Sequence, residues 1–342
     1  MFESFVKQKH AILNYVYDLI LFAAKLHDIA KEKIFSEGAQ LKRAEALASK
    51  ISSDRDSFNI KNRVSQILLK YQEASYVLDP LIGDMVEPIM KMMQIYTKQA
   101  CSTGSYAVPK EVSLLFEILY NLCNVRGFKT IVKFFPHEAA DMEPCVELLH
   151  FQDTKEYWID CMLALWLSII VIVPFDIQTI DSKKAGDSYE VLVKRMVNIG
   201  KQHIQNSGKI RDYCSIMLSK LLTRPDVIKQ GETKAFLVEM ANLYASSKED
   251  TSQMFSVSGI LQTLVEIFKI GHREDFLGLI DIVFEPILQS EVKNKFMAKS
   301  TIIRKNRVKL AQRIGCIFLK PRVAAWRYQR GSRTLNHLAQ EA

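Results

Sequence analysis

Few side chains in this 342-residue sequence stand where they could do chemistry together. His27 and Asp28 are adjacent in a helical segment with His10 upstream, residue types that can hold a metal for phosphoester hydrolysis. Adjacent side chains point to different parts of a helix surface, so the pair reads as polar surface unless further ligands come from elsewhere. The string FFPHEAADMEP, 134–144, gathers His137, Glu138, Asp141 and Glu143, a set that could coordinate a cation if the loop folded inward. A simpler reading has Pro136 opening a helix whose first-turn acids face the positive end of its dipole, with Pro144 opening the apolar segment that follows. No G-x-S-x-G, H-E-x-x-H, Walker A or G-x-G-x-x-G string occurs. Each of those motifs fixes a reacting group or a phosphate by specific backbone geometry. We therefore expect no catalytic residue, no metal and no cofactor, and a protein that is not itself an enzyme.

The basic residues are the better organised set. The formal net charge is +8, yet no Asp or Glu occurs between Glu291 and Glu341, a window (292–340) that holds 13 Lys or Arg. The rest of the chain carries 33 basic against 38 acidic residues, so a mildly acidic molecule ends in one basic segment. On a helical wheel for 302–320, Ile303, Leu310, Ile314, Ile317 and Phe318 form an apolar stripe, and Lys305, Lys309, Arg313 and Lys320 gather on an adjoining arc. Arg307 falls near the apolar side, where its stem can cover core atoms while the guanidinium reaches out. After Pro321, the string RVAAWRYQRGSRTL interleaves Arg322, Arg327, Arg330 and Arg333 with Trp326 and Tyr328. Such a segment can meet an acidic protein surface, a nucleic-acid backbone or an anionic membrane. Without an RNA- or DNA-binding signature, nucleic acid is the weaker reading, and an acidic protein the stronger.

The elements that must position these groups are helices. The chain has 48% hydrophobic residues with only 13 Gly and 9 Pro, which leaves few turns for an all-β fold and suits an all-α one. Val112, Leu115, Leu119 and Leu122 recur at spacings of three and four, as do Leu261, Leu264, Val265 and Phe268, then Phe276, Ile280, Val283 and Ile287. Stops at Gly127, Pro174, Arg224-Pro225, Gly271 and Pro321 lie 47, 51, 46 and 50 residues apart. That interval sits at or just above HEAT and armadillo units of about 40–47 residues, in which helix pairs bury their apolar faces by stacking. The spacing predicts a HEAT/armadillo-type α-solenoid, with an irregular helical bundle as the other architecture it permits. The run 161–175, CMLALWLSIIVIVPF, is too short to span a membrane and is stopped by Pro174, which predicts a helix buried on all sides and no membrane insertion. The six cysteines lie far apart with no C-x-x-C pair, as expected of small hydrophobes in a reducing cytosol. Polar stretches at 51–62, 98–110 and 181–188 read as loops between layers. None is long or Pro-rich enough for a linker, so we expect one continuous segment over 1–342 with no separate catalytic domain.

Four ordered strings are more specific: VRGFKTIVKFFPHEAADMEP, LALWLSIIVIVPFDIQTID, LLTRPDV and KLAQRIGCIFLKPRVAAWRYQRGSRTL. Together they resemble the tubulin-specific chaperone D (tubulin-folding cofactor D) family, from about Tyr71 to Leu335. Family members run well over a thousand residues, so the resemblance is to their N-terminal part. This chain has Asp160 shortly before its LALWLS helix, where the family tends to have a basic residue, and the first 60 residues match nothing in it.

The resemblance implies an α-solenoid that captures β-tubulin, joins tubulin-folding cofactors C and E in a complex with αβ-tubulin, and associates with an Arf-like small GTPase. It implies stimulation of tubulin's GTP hydrolysis without an active site in the cofactor, and a cytoplasmic place at microtubules and centrosomes. It names no tubulin contact in this segment. Because tubulin is acidic, electrostatics single out Lys305, Lys309, Arg313, Arg322, Arg327 and Arg330 as a partner-binding ridge, with Trp326 and Tyr328 as anchors. A general interaction scaffold of transport-adaptor type and an RNA-binding helical array are the rival readings.

Overall fold

The computed structural model describes residues 2–27, 29, 31–35, 41–42, 54–151, 156–182, 191–247, 253–289 and 299–319, and contains no strand among them. The longer helices are α1 Phe2–Leu26, α2 Asp54–Lys70, α3 Asp79–Thr103, α4 Lys110–Leu122, α5 Met142–Phe151 and α6 Tyr157–Ile170. They continue as α7 Leu192–Ile204, α8 Lys209–Leu222, α9 Glu232–Ala245, α10 Gln253–Ile270 and α11 Thr301–Phe318. Two layers result. In one, α2, α4, α6, α8, α10 and α11 pack each on the next; in the other, α3 packs on α5, α5 on α7, and α9 on the helical segment 280–289. From α1 to α6 each helix touches the one two places on, and α8 touches α10, so successive helix pairs close their apolar faces against one another, as in a solenoid.

The period is set by where helices of the first layer end. They stop at Leu122, Ile170, Leu222, Ile270 and Phe318, at intervals of 48, 52, 48 and 48 residues. Side-chain bonds between neighbouring units keep the same step: Gln94 to Asp141 spans 47 residues, Ser215 to Thr263 spans 48 and Gln262 to Asp212 spans 50. The predicted stops coincide with these ends. Gly127 closes a π-helical turn after α4 at φ 93°, Pro225 opens a short helix after α8, and Gly271 follows α10 with its N–H bonded to the Ile267 carbonyl at 2.8 Å. Pro321 lies outside the described residues.

Helix α6 is the most deeply buried, with Ile159 and every residue from Cys161 to Ser168 closed off from solvent. Continuous burial explains why its sequence is apolar without a polar face. No helix of the described residues is long and apolar enough to cross a membrane. At the C-terminal end, the backbone N–H groups of Ile172 and Val173 donate to the Ile169 and Ile170 carbonyls in a tighter turn, because Pro174 cannot continue the α-helical ladder. Trp166 is fully buried, and its indole donates to the Pro136 carbonyl at 3.0 Å. Helix α7 reaches past α8 to touch α10, where Gly259 makes room: a Cβ there would lie 1.8 Å from the Ile204 carbonyl oxygen.

Three local expectations are corrected. The polar stretch 51–62 is the opening of α2 from Asp54 onward, and 98–103 completes α3, so the true connection is 104–109. Both are polar because outer helix faces are polar. Of 181–188 only 181–182 are described, and these are non-helical. Pro136 opens no helix; Glu138 precedes a short 3-10 turn, Ala139–Asp141, and α5 begins at Met142, with Pro144 in its first turn.

Candidate functional site

The basic helix α11 closes the described part of the first layer. Ile303, Asn306, Leu310, Ile314 and Ile317 are buried, and α11 packs on α10. Phe318 departs from the predicted stripe: it is 55% exposed, since at roughly 100° per residue it lies at the margin of the buried face. Arg307 behaves as expected, half-buried with its guanidinium donating to the Leu288 carbonyl at 3.2 Å.

Lys305 and Lys309 are exposed and Arg313 is half-buried, all on one line at i, i+4 and i+8. Successive charges therefore stand about 6 Å apart along the axis. None of the three makes an ion pair among the described residues, and the Arg313 Nε is buried without a hydrogen-bond partner. Three unneutralised cations on one helix face attract an acidic surface and orient it. The structure adds an exposed apolar residue that sequence reading missed. Ile302 is 54% exposed, and the same wheel places it between Lys309 and Arg313. Its position off the buried stripe was the available signal. Arg322, Trp326, Arg327, Tyr328 and Arg330, with Lys320 and Arg333, lie outside the described residues.

The acidic string 134–144 has a different use from the capping role expected of it. Asp141 is fully buried; Gln94 of α3 donates to it at 2.7 Å and to Glu138 at 2.8 Å, and Lys98 approaches Asp141 at 2.8 Å. Burial pushes the Asp141 carboxyl up, against the opposing pull of Lys98 and Gln94. Glu138 is held below the ordinary range by the hydrogen bond from Gln94, which outweighs its desolvation. These carboxylates tie one unit to the next. Only Glu143 sits in a helix first turn as expected. His27 follows α1 and faces Glu111 at 3.9 Å; Asp28 lies outside the described residues. Among the described residues no group of three or more His, Cys, Asp or Glu stands ready to hold a metal ion.

The most heavily bonded polar junction joins two of the distinctive strings. Arg224 of LLTRPDV donates to the Val171 and Val173 carbonyls, each at 2.7 Å, and to the Phe175 carbonyl at 2.6 Å. Asp226 accepts from Arg224 Nε at 2.9 Å and from the Ile177 N–H at 3.1 Å. Burial raises the Asp226 carboxyl, and the bonds from Arg224 and from backbone N–H groups outweigh it, leaving it below its ordinary value. With Trp166 bonded to Pro136, the first three strings interlock as neighbours in space.

Comparison with known proteins agrees with this arrangement. A family model described as "Tubulin-specific chaperone D-like, ARM repeat" matches residues 68–244, and a second, "Tubulin-specific chaperone D-like, ARM repeats", matches 302–342. The chain is 27% identical to the tubulin-specific chaperone D of Dictyostelium discoideum over 367 aligned positions, covering 78% of this chain and 25% of that protein. It is 22% identical to the tubulin-folding cofactor D of Schizosaccharomyces pombe over 279 positions, covering 81% of this chain and 23% of that protein. The chain thus spans about a quarter of the length of these relatives. A crystal structure of an engineered protein aligns over 75% of the chain at 15% identity with a TM-score of 0.38, too distant a likeness to bear on the fold.

Proposed function

The chain belongs to the tubulin-specific chaperone D-like ARM-repeat family, and from that membership we propose that it is a tubulin-folding cofactor segment that binds β-tubulin. With tubulin-folding cofactors C and E it supports assembly and disassembly of the αβ-tubulin heterodimer and stimulates GTP hydrolysis by tubulin. An Arf-like small GTPase is its further partner. Its place is the cytoplasm, at microtubules and centrosomes. It supplies no catalytic group of its own and acts by holding and repositioning the client.

The observation that carries the reading is the ordered family match over helices α3 to α9 and again over α11, whose Lys305, Lys309 and Arg313 make no ion pair among the described residues. That line is the described part of the tubulin-facing ridge of the proposal, to which the sequence adds Arg322, Arg327 and Arg330 with Trp326 and Tyr328. The test is charge reversal, with Lys305, Lys309 and Arg313 replaced by Glu and co-elution with αβ-tubulin measured at low and moderate salt. The reading expects unchanged helicity and a loss of salt-sensitive co-elution. Equal capture of tubulin by the triple variant, with the same salt dependence, would assign the ridge to solvated surface.

A further inference from the structure

The ends of α6, α8 and α10 enclose a cleft of about 490 Å³. Ile172 and Pro174 form one wall, Lys220 and Pro225 the next, and Ile270 the far side. Three features distinguish it from an ordinary gap between units. Ile172 is 59% exposed, and Phe175 beside it is 60% exposed, so large apolar side chains stand at the rim with nothing over them among the described residues. Lys220 is half-buried and makes neither hydrogen bond nor ion pair among the described residues. Burial holds its ammonium below the ordinary lysine range. A desolvated cation without a partner gains more from an incoming carboxylate than a hydrated surface lysine does, because its hydration has already been lost.

The other charges of the cleft are accounted for. Arg224 is consumed by three backbone carbonyls and Asp226, and Asp226 by Arg224 and the Ile177 N–H. Asp176 is exposed at the rim and forms no ion pair with Lys220. The chemistry left unmet is therefore one ammonium beside an apolar wall.

We propose that this cleft docks an extended segment of a partner protein that places a carboxylate on Lys220 and a large apolar side chain between Ile172 and Ile270. The site is separate from the basic ridge of α11, and it stands whether or not the ridge captures tubulin. Asp176 repels the same segment and limits its affinity.

The probe is a short fluorescein-labelled peptide alternating Glu with Leu and Phe, titrated against the full chain by fluorescence anisotropy. Its control carries Lys in place of Glu. The Glu peptide binds in a salt-dependent way and the Lys peptide does not. Lys220→Met, which keeps the buried stem and removes the charge, weakens binding about tenfold or more. Ile172→Asp, at an exposed position that leaves folding intact, abolishes it, and Asp176→Asn tightens it a few-fold. The proposal is overturned if Lys220→Met and Ile172→Asp bind the probe like the unaltered chain, or if the Lys peptide binds equally well. Self-association of the unaltered chain in sedimentation, lost in Ile172→Asp, would also overturn it, because a second copy would then be the occupant.

Discussion

The guanidinium of Arg224 donates to the carbonyl of Val173 at 2.7 Å across 51 residues of sequence, one full unit of the solenoid. Carbonyl groups at the end of α6, freed where Pro174 stops the helix, are satisfied by the residue that begins the next break. One side chain therefore closes a helix end and fixes the offset between neighbouring units.

Arg224→Ala should then cost about 3–5 kcal/mol, because it removes one member of a mostly buried ion pair and leaves Asp226 and three carbonyls poorly satisfied. Urea unfolding monitored by far-UV circular dichroism measures it. Arg224→Lys should recover only part, since an ammonium cannot reproduce the fork. A loss under about 1 kcal/mol for the alanine variant would mean that the clamp is ornamental.

Trp166→Phe separates packing from hydrogen bonding inside α6. The ring volume is largely kept and the bond to the Pro136 carbonyl is lost, so the expected cost is about 1–3 kcal/mol. Trp166→Ala should cost about 3–5 kcal/mol through the cavity it leaves. A Trp166→Phe variant as stable as the unaltered chain would contradict a separate contribution from the indole N–H, and equal losses in the two variants would contradict one from packing.

Asp160 makes stability depend on pH. Burial in α6 pushes its carboxyl from an ordinary 3.8 up to about 7. In this range the folded chain binds more protons than the unfolded one, so its contribution is full below about pH 4 and is lost as pH rises toward 7. Asp160→Asn removes that dependence. Denaturation midpoints taken from pH 4.5 to 7.5 should show the variant gaining on the unaltered chain as pH rises; a constant difference would show that Asp160 does not titrate there.

On α11, the division between buried and open faces gives paired substitutions. Leu310→Ala should cost about 2–5 kcal/mol, since Leu310 is fully buried. Phe318→Ser should lie within about 0.5 kcal/mol of the unaltered chain. Thermal unfolding compares them, and a large penalty at Phe318 would return it to the apolar stripe.

Much of the fold was legible because the stops and stripes that sequence displays are the same features that end and pack the helices. Gly127, Pro174, Pro225 and Gly271 each interrupt the first layer where its helices end. The opening of α2 was not legible, because Asp54–Lys70 turns an outer face to solvent and carries polar residues there. Nor was the use of Asp141: its partner Gln94 is 47 residues away, and neither residue type announces the other. Arg224 read as half of a helix break because its main acceptors are backbone carbonyls, which have no sequence signature. Within the ridge, Lys305 and Lys309 were found correctly on the open face because a helix of known phase fixes them.

The central claim is that this segment itself contacts tubulin. Sedimentation velocity of the labelled, unaltered 342-residue chain with soluble αβ-tubulin, beside an unrelated helical repeat protein, tests it most directly. The account predicts a faster-sedimenting complex at low salt that diminishes at moderate salt. A folded, monodisperse chain that sediments alone at both would contradict it.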